Sequence, residues 1–187
     1  MVPEAPLEQT EHGLVPAGDG WLVLNARDAR WVDRGEGRGV SCSFETFEGD
    51  EADFWELGIN LRRLGPGEPM AMYHFENDEE AFLVLSGEAL LIVEGEERVL
   101  RQWDLFHCPA GTNHVIVGAG DKPCVILGAG TRVNMGGPDS NWGAYTVDEA
   151  AQRHGAGVEQ ETTDAELAYA PFPKVEPTRY REGWLPD

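Results

Sequence analysis

The sequence of 187 residues is poor in basic residues. It has 14 lysines and arginines against 34 acidic residues, so its formal net charge is −20, and only Lys122 and Lys174 are lysines. A surface of this charge repels phosphate backbones and anionic lipid headgroups. We therefore expect neither nucleic acid nor a membrane as a partner.

Cysteines and long apolar runs are also scarce. Cys42, Cys108 and Cys124 are odd in number and far apart, and no Cys-x-x-Cys pair occurs, which disfavours a zinc ribbon, a thioredoxin site and a disulfide framework. No apolar run approaches the roughly 20 residues that cross a bilayer, and the first residues lack the basic and apolar regions of a secretory signal. We predict a single-domain cytoplasmic protein.

Short apolar runs separated by turn residues are abundant, and no helical pattern lies between them. This arrangement indicates an all-β sandwich or barrel. We predict a loose arm over residues 1–20, which are rich in Pro, Gly and Glu, a barrel over 21–131, and short helices with an extended strap over 132–187. The predicted strands cover residues 21–25, 40–47, 55–61, 70–74, 81–85, 88–93, 97–101, 104–108, 114–117 and 125–130.

Residues 55–61 alternate between apolar and polar side chains. A period of two predicts a strand with one buried face. We therefore place Trp55, Leu57, Ile59 and Leu61 on the buried face, and Arg62 has the parity of the polar, outer face.

Two later strands, residues 81–85 and 89–93, are apolar on both faces. The outer wall of a barrel is normally polar, so the outer faces of these strands must be covered. A second subunit or the C-terminal strap, with its aromatic residues Phe172, Tyr180 and Trp184, would cover them. A homodimer is the leading expectation.

The C-terminal part carries two helix-start signals. Thr146-Val147-Asp148-Glu149 is a capping box that predicts a short helix ending at Gly155, and Thr163-Asp164-Ala165-Glu166 repeats the signal.

Histidine and acidic residues recur at fixed offsets in the middle of the chain. The first stretch contains Gly67, His74, Glu76, Glu80 and Gly87, and the second contains Trp103-Asp104, Pro109-Ala110-Gly111 and His114. The first resembles one cupin motif, with a glycine, a His-x-His pair, a glutamate and a closing glycine. The second resembles the other cupin motif, a Gly-Asp pair followed by Pro-x-Gly and a histidine. The chain is thus similar to single-domain cupins of undefined function, and this implies a double-stranded β-helix, the jelly-roll barrel.

Strand parity agrees with this resemblance. His74 and Glu76 are two residues apart and share a face, which also takes in Met72. Glu80 shares a face with Phe82 on the next strand, and an acid on an apolar face is costly unless it is paired or bound to metal. We predict His74, Glu76, Glu80 and His114 as ligands of one divalent ion, Zn, Fe, Mn or Ni, and Met72 and Phe82 as pocket residues.

The sequence departs from the cupin pattern at three positions. Glu76 replaces the second histidine, Trp103 replaces a glycine, and Gly118 replaces a common asparagine. Glu76 is open to three interpretations: a metal ligand, a general base beside the metal, or the sign of a site without metal. For residues 76–80 taken alone, a solvated acidic turn is the plain alternative.

The remaining histidines and one arginine pair are weaker candidates. His107 is expected to be a packed surface residue, His12 lies in the arm, and His154 is expected at a helix C-terminus. The pair Arg62-Arg63 is a candidate for steering an anionic substrate.

Three functions remain open at this point. The resemblance implies a metal-dependent enzyme on a small organic acid or sugar-like substrate, of the oxygenase, decarboxylase or isomerase kind. In such an enzyme Glu76 or Glu80 would hold or deprotonate the substrate, and Glu76 is the candidate catalytic residue. The alternatives are a non-catalytic cupin that binds or senses a small molecule, and a metal-free structural cupin.

Overall fold

The computed structural model describes residues 1–43, 56–135 and 140–186. Within these ranges lie fourteen strands and two short helices. The helices are α1 (Glu149–Arg153) and α2 (Ala165–Ala168). The strands are β1 (Leu7–Thr10), β2 (Gly13–Pro16), β3 (Arg30–Asp33), β4 (Val40–Ser43), β5 (Leu57–Leu64), β6 (His74–Glu76), β7 (Glu80–Ser86), β8 (Glu88–Val93), β9 (Glu96–Arg101), β10 (Leu105–Cys108), β11 (His114–Ala119), β12 (Cys124–Thr131), β13 (Gly143–Tyr145) and β14 (Glu176–Arg179).

Two antiparallel sheets form the body of the fold. Seven strands follow the order β10-β7-β12-β5-β4-β3-β14, and five follow the order β13-β6-β11-β8-β9. Alternate side chains of both sheets meet in one buried cluster, which includes Phe82 and Ile126 from the first sheet and Leu91 and Ile116 from the second. This confirms the predicted all-β jelly-roll class.

The tight turn between β7 and β8 depends on a glycine. Gly87 has φ 76°, a left-handed conformation, and a Cβ there would lie 2.7 Å from Cα of Cys124. Gly118 is equally constrained, because a Cβ would lie 2.1 Å from the carbonyl oxygen of Gly65. The side chain of an asparagine has no room at that position. Trp103, by contrast, holds φ 74° without being glycine, a conformation that strains an L-residue by about 1–2 kcal/mol.

The outer faces of the doubly apolar strands are covered by the same chain. Ile92 on β8 packs with Ala150 and Ala151 of α1. Leu85 on β7 belongs to a cluster with Tyr180 and Trp184 from the C-terminal segment. The C-terminal helix α1 and the strap therefore cover the apolar faces for which a second subunit was expected. The homodimer stays a prediction.

The C-terminal segment is integrated into the larger sheet. Strand β14 pairs with β3, with Arg179 opposite Arg30 and Glu176 opposite Asp33. Beneath this pairing, the fully buried Trp31 meets the ring of Tyr180 at 5.9 Å between ring centroids and that of Trp184 at 5.2 Å.

The first thirty residues differ from the prediction. Strands β1 and β2 form a hairpin within the expected loose arm, with Ala5 and Val15 buried. The sequence did not predict this hairpin because strands of four residues are too short to show a periodic pattern. Residues 21–25 form no strand and contribute only one bridge, from Trp21 to Glu4. The first strand of the large sheet after the hairpin is β3, which the apolar pattern did not indicate.

Strand β5 agrees with the prediction at Leu61, which is buried in a cluster with Trp31 and Cys42, and departs from it at the preceding positions. Leu57 and Ile59 are exposed, whereas Gly58 is buried and Asn60 and Arg62 line an internal cavity. An alternating pattern predicts the buried face correctly only where the interior is apolar, and β5 borders a cavity that contains polar side chains. The predicted strand 40–47 is present as β4, its residues 44–47 lie outside the described ranges, and so does Trp55.

Both helices begin later than their capping signals. Asp148 caps α1 by accepting from the Ala151 amide, and Asp164 caps α2 by accepting from the Glu166 amide. Thr146 instead donates its hydroxyl to Asn113 at 2.6 Å. Within the described ranges, neither helix has the length and hydropathy of a bilayer-spanning segment.

Candidate metal centre

Three predicted ligands converge between the two sheets. His74 on β6 lies directly opposite His114 on β11 in the five-stranded sheet, and Glu80 opens β7 in the facing sheet. One ligand atom from each of the three residues lies within 4.8 Å of the others. Both histidines are buried, and His114 is only 1% exposed.

Backbone carbonyls hold the two imidazole rings. Nδ1 of His74 lies 2.6 Å from the carbonyl oxygen of Met72, and Nδ1 of His114 lies 3.1 Å from that of Thr112. A carbonyl only accepts, so each Nδ1 must be the protonated nitrogen. When its Nε2 is deprotonated, each ring presents the lone pair of that nitrogen to the site, as metal-binding histidines do.

One oxygen of the Glu80 carboxylate lacks a hydrogen-bond donor among the described residues. Its Oε2 lies 3.5 Å from Nε2 of His114, is buried, and has no hydrogen-bond partner among the described residues. Burial and the nearby charge of Glu76 raise the pKa of Glu80 to about 7. A buried oxygen without a partner is costly, and a cation beside it would satisfy it.

The two histidines differ in charge preference. Burial, together with the proximity of His74, lowers the pKa of His114 to about 3. Burial opposes protonation of His74 as well, but the hydrogen bond to Glu76 and the charges of Glu80 and Glu76 outweigh it and raise the pKa of His74. His114 is therefore neutral at physiological pH, as a metal ligand must be.

Glu76 lies at the edge of this group, and its role as a ligand stays a prediction. Its Oε1 lies 3.5 Å from Nε2 of His74, and its side chain lines the cavity. The ligand atoms that lie within 4.8 Å of one another come from His74, Glu80 and His114, without Glu76. Glu76 therefore lies next to the candidate metal centre.

The acidic run that contains Glu80 is not a solvated turn. Asp78 is 4% exposed, and its carboxylate accepts from the Thr131 hydroxyl and from the backbone amides of Val133 and Asn134. These bonds fix the loop between β6 and β7 to the end of β12, and so fix Glu80.

A cavity of about 390 Å³ is lined by His74 and Glu80 of this group. Phe82 lines it as predicted, whereas Met72 packs in a cluster with Tyr145 and Val158 instead. The parity argument failed for Met72 because the strand begins only at His74, and residues 70–73 are not extended. Met70 does line the cavity.

Much of the cavity wall lies outside the two motifs. The aromatic side chains are Trp142, Tyr145 and Tyr169, and the basic ones are Arg34, Arg62 and Arg132. Tyr145 arrives on β13, directly opposite His74 in the sheet. No local pattern marks these aromatic residues, because a three-residue edge strand and a four-residue helix carry too little periodicity.

The weaker candidates fall elsewhere. His107 is exposed on β10, His12 lies 3.2 Å from Glu11, and His154 caps the C-terminus of α1 beside Glu97. Of the arginine pair, Arg62 lines the cavity and Arg63 is not among its lining residues.

In protein stripped of metal, we expect Glu80→Gln to stabilise the fold at pH 8. The pKa of Glu80 is about 7 in the folded state against 4.5 for the ordinary group. The folded state therefore binds the proton more tightly, and stability falls as pH rises from 4.5 through 7, by about 3 kcal/mol in all. Glutamine carries no charge and avoids this loss.

Urea unfolding in EDTA at pH 8 and pH 5 measures the effect, with the exposed neighbour variant Glu79→Gln as control. The advantage of Glu80→Gln over wild type should be greatest at pH 8 and shrink at pH 5. An equal difference at both values would contradict the assignment of an unpaired buried carboxylate.

The comparisons with known proteins agree with this fold. Residues 60–129 match the Cupin_2 family, described as a cupin domain. No curated protein matches the chain.

Many solved structures are similar to the chain over part of its length. One is a sugar phosphate isomerase of the cupin superfamily from Silicibacter pomeroyi, with 27% identity, a TM-score of 0.44, and coverage of 58% of this chain and 63% of that one. Another is KdgF from a Halomonas species, at 19% identity and TM-score 0.45, covering 55% and 86%. A third is a conserved protein with a double-stranded β-helix domain from Klebsiella pneumoniae, at 16% identity and TM-score 0.49, covering 61% and 92%.

The chain spans under two thirds of the length of the Silicibacter protein. The family match over residues 60–129 includes His74, Glu80 and His114, and it coincides with the central strands of the two sheets. Residues 60–129 form a cupin domain of the Cupin_2 type.

Proposed function

We propose that this cupin is a metal-dependent enzyme that acts on a small organic substrate. Nε2 of His74, Nε2 of His114 and the carboxylate of Glu80 would hold one divalent ion. The observation that carries the proposal is the buried Oε2 of Glu80, which has no hydrogen-bond partner among the described residues and faces Nε2 of His114.

The donor set fits such an ion. Two imidazole nitrogens and one carboxylate oxygen suit zinc, iron, manganese or nickel, and three protein ligands leave a position for substrate. When bound, an ion of this kind acts as a Lewis acid on a substrate oxygen.

The residues around the site would bind and orient the substrate. The cavity of about 390 Å³ lies within the range of small-molecule sites. Phe82 and Met70 contribute apolar surface to it, while Asn60 and Tyr145 contribute polar groups. A mixed wall of this kind excludes water from one part of a substrate and fixes the orientation of another.

Glu76 is proposed as the group that moves a proton. It lines the cavity with its Oε1 close to Nε2 of His74, so its carboxylate can reach a substrate positioned at the ligands. A positioned carboxylate that accepts a proton in the transition state contributes about 10²–10⁴ to the rate. A non-catalytic binding cupin would have no such requirement for Glu76.

Elemental analysis of protein purified without a metal-affinity tag tests the metal. We expect about one divalent ion for each chain, or its uptake on reconstitution with zinc, iron, manganese or nickel. Turnover screens with small organic acids and sugars, including oxygen uptake, then test catalysis. Failure to take up any of the four ions would overturn the proposal.

The Glu76→Gln variant separates catalysis from ligation. We expect metal content to remain within about twofold of wild type, because the three ligands are intact, while turnover falls by about 100-fold or more. Glu76→His should leave the fold intact and serves as the comparison for metal preference. Loss of metal from Glu76→Gln would instead make Glu76 a ligand, and unchanged turnover would remove its proton-transfer role.

A further inference from the structure

The cavity beside the metal ligands has a basic wall. Arg34, Arg62 and Arg132 all line it, in a chain with only 14 basic residues and a net charge of −20. We propose that the substrate carries an oxyanion, a carboxylate or a phosphate, and that Arg34 binds it with Arg38 as a second cation close behind. This inference rests on the proposed function, because it names the substrate class of the same cavity.

A tight turn between β3 and β4 holds Arg34 and Arg38. The amide of Arg34 donates to the carbonyl of Gly39 at 3.1 Å, and the amide of Arg38 donates to the carbonyl of Gly35 at 3.2 Å. Gly35 has φ 88°, which a side chain would disfavour. The turn therefore fixes both arginine backbones at the edge of the cavity.

The guanidinium of Arg38 is buried against aromatic rings. The residue is 2% exposed, and its Cζ lies 4.3 Å from the ring centre of Tyr169 and 4.8 Å from that of Phe172. Such contacts stabilise a cation over a ring face. They do not satisfy its in-plane N–H groups.

Both guanidinium groups retain buried N–H donors without acceptors. Nε of Arg34, and Nε and Nη2 of Arg38, have no hydrogen-bond partner among the described residues. Neither arginine forms an ion pair with a carboxylate of those residues. Two neighbouring cations without an anion, one buried and one half-buried, are costly, and an oxyanion would supply both charge and acceptors.

The charge balance of the pair points the same way. Burial, and then the charge of Arg34, lowers the pKa of Arg38 to about 10. Burial also lowers the pKa of Arg34. Both groups still carry their charge at neutral pH, so the repulsion between them persists until an anion offsets it.

The other two arginines of the wall are engaged elsewhere. Arg62 donates from Nε to the side-chain oxygen of Asn60 at 3.0 Å. The Arg132 guanidinium lies over Gly58, where a Cβ would be 2.5 Å from its Nε. Arg62 and Arg132 add positive potential to the cavity, whereas Arg34 and Arg38 supply the N–H donors for the oxyanion.

Aromatic rings connect the arginines to the metal ligands. Tyr145 lies 5.9 Å from the ring of His74 and 5.6 Å from that of Tyr169, between ring centroids, and Tyr169 is the ring that Arg38 covers. One cavity therefore has His74 and Glu80 on one part of its wall and Arg34 on another. A substrate bound through its oxyanion at Arg34 would extend its remaining atoms toward the ligands.

The test uses two probes, inorganic phosphate and succinate, on metal-stripped protein, so that the metal itself cannot bind the anion. We expect saturable binding of at least one probe by calorimetry. Arg34→Gln should weaken this binding about tenfold or more, as for a lost charge-assisted hydrogen bond. The matched control is Arg98→Gln, at an exposed arginine that pairs with Glu96, and it should bind as wild type does.

The outcomes separate this inference from the proposed function. Binding of phosphate alone identifies a phosphorylated substrate, and binding of succinate alone identifies a carboxylic acid. Binding of neither, or equal binding by wild type and Arg34→Gln, overturns the inference. Metal content, measured on the same samples before stripping, should be unchanged in Arg34→Gln. If wild type takes up no metal but binds the anion, and Arg34→Gln binds it more weakly, the proposed metal-dependent function is wrong and the anion site is retained.

Discussion

The His114→Ala variant should lose tight metal binding, with an affinity at least about 100-fold below that of wild type. Substituting groups that merely orient a metal ligand costs 10–100-fold, and here a ligand itself is removed. His74 and Glu80 alone are a poor site. The buried Glu80 would also lose its imidazole neighbour at 3.5 Å.

Thermal stability should respond in the same direction. A ligand present at 100 times its Kd stabilises the folded state by about 2.7 kcal/mol. Wild type should therefore melt at a higher temperature with zinc, iron, manganese or nickel than in EDTA, and His114→Ala should show no such difference. Metal content and melting curves are measured for both proteins with and without EDTA. Each protein is compared with itself, so the loss of stability caused by the cavity in His114→Ala does not affect the result.

His107→Ala is the matched control, since His107 is an exposed histidine on β10. It should retain both the metal and the metal-dependent rise in melting temperature. Full metal content in His114→Ala would place the ion elsewhere in the chain.

The Trp31→Ala variant should be destabilised by about 3–5 kcal/mol, the usual cost of removing a buried aromatic ring. Trp31 is fully buried, and its indole N–H donates to the carbonyl of Ala26 at 2.8 Å. Its ring also forms the surface on which Tyr180 and Trp184 pack. The substitution should loosen the C-terminal segment before the sandwich itself unfolds.

Urea unfolding measures the loss of stability, and limited proteolysis measures release of the segment. Trp103→Ala is the control, because Trp103 is 67% exposed, and its effect should stay within about 0.5 kcal/mol. If Trp31→Ala were no worse than Trp103→Ala, the packing of the strap on the barrel would not contribute to stability.

The central strands and the grouping of His74, Glu80 and His114 could be predicted from the sequence. From β7 to β12, short strands follow one another between turns that contain glycine, and Glu80, Phe82 and Val84 share the inner face as parity requires. The offsets between His74, Glu80 and His114 are local to two short stretches. Local periodicity and spacing are the information that a single sequence carries best.

The rest of the cavity depends on contacts between distant segments. Strand parity predicted that Arg62 points outward, because the prediction assumed an apolar interior. It predicted that Met72 points into the cavity, because it assumed a strand at residues 70–73, where none forms. Tyr145 reaches the cavity through the pairing of β13 with β6, two strands far apart in the sequence. Strand β3, which Arg34 follows, pairs with β14 from near the other end of the chain. No spacing rule reports such pairings.

The pairing of β14 with β3 also orders events during synthesis. The partner residues Arg30 and Arg179 lie near opposite ends of the chain, and chains emerge from the ribosome at about 5–20 residues per second. Strand β3 must therefore wait, with one edge unpaired, until residues as far as Arg179 have emerged. Because Arg34 directly follows β3, we expect the anion-binding wall to be among the last parts of the molecule to acquire its final form.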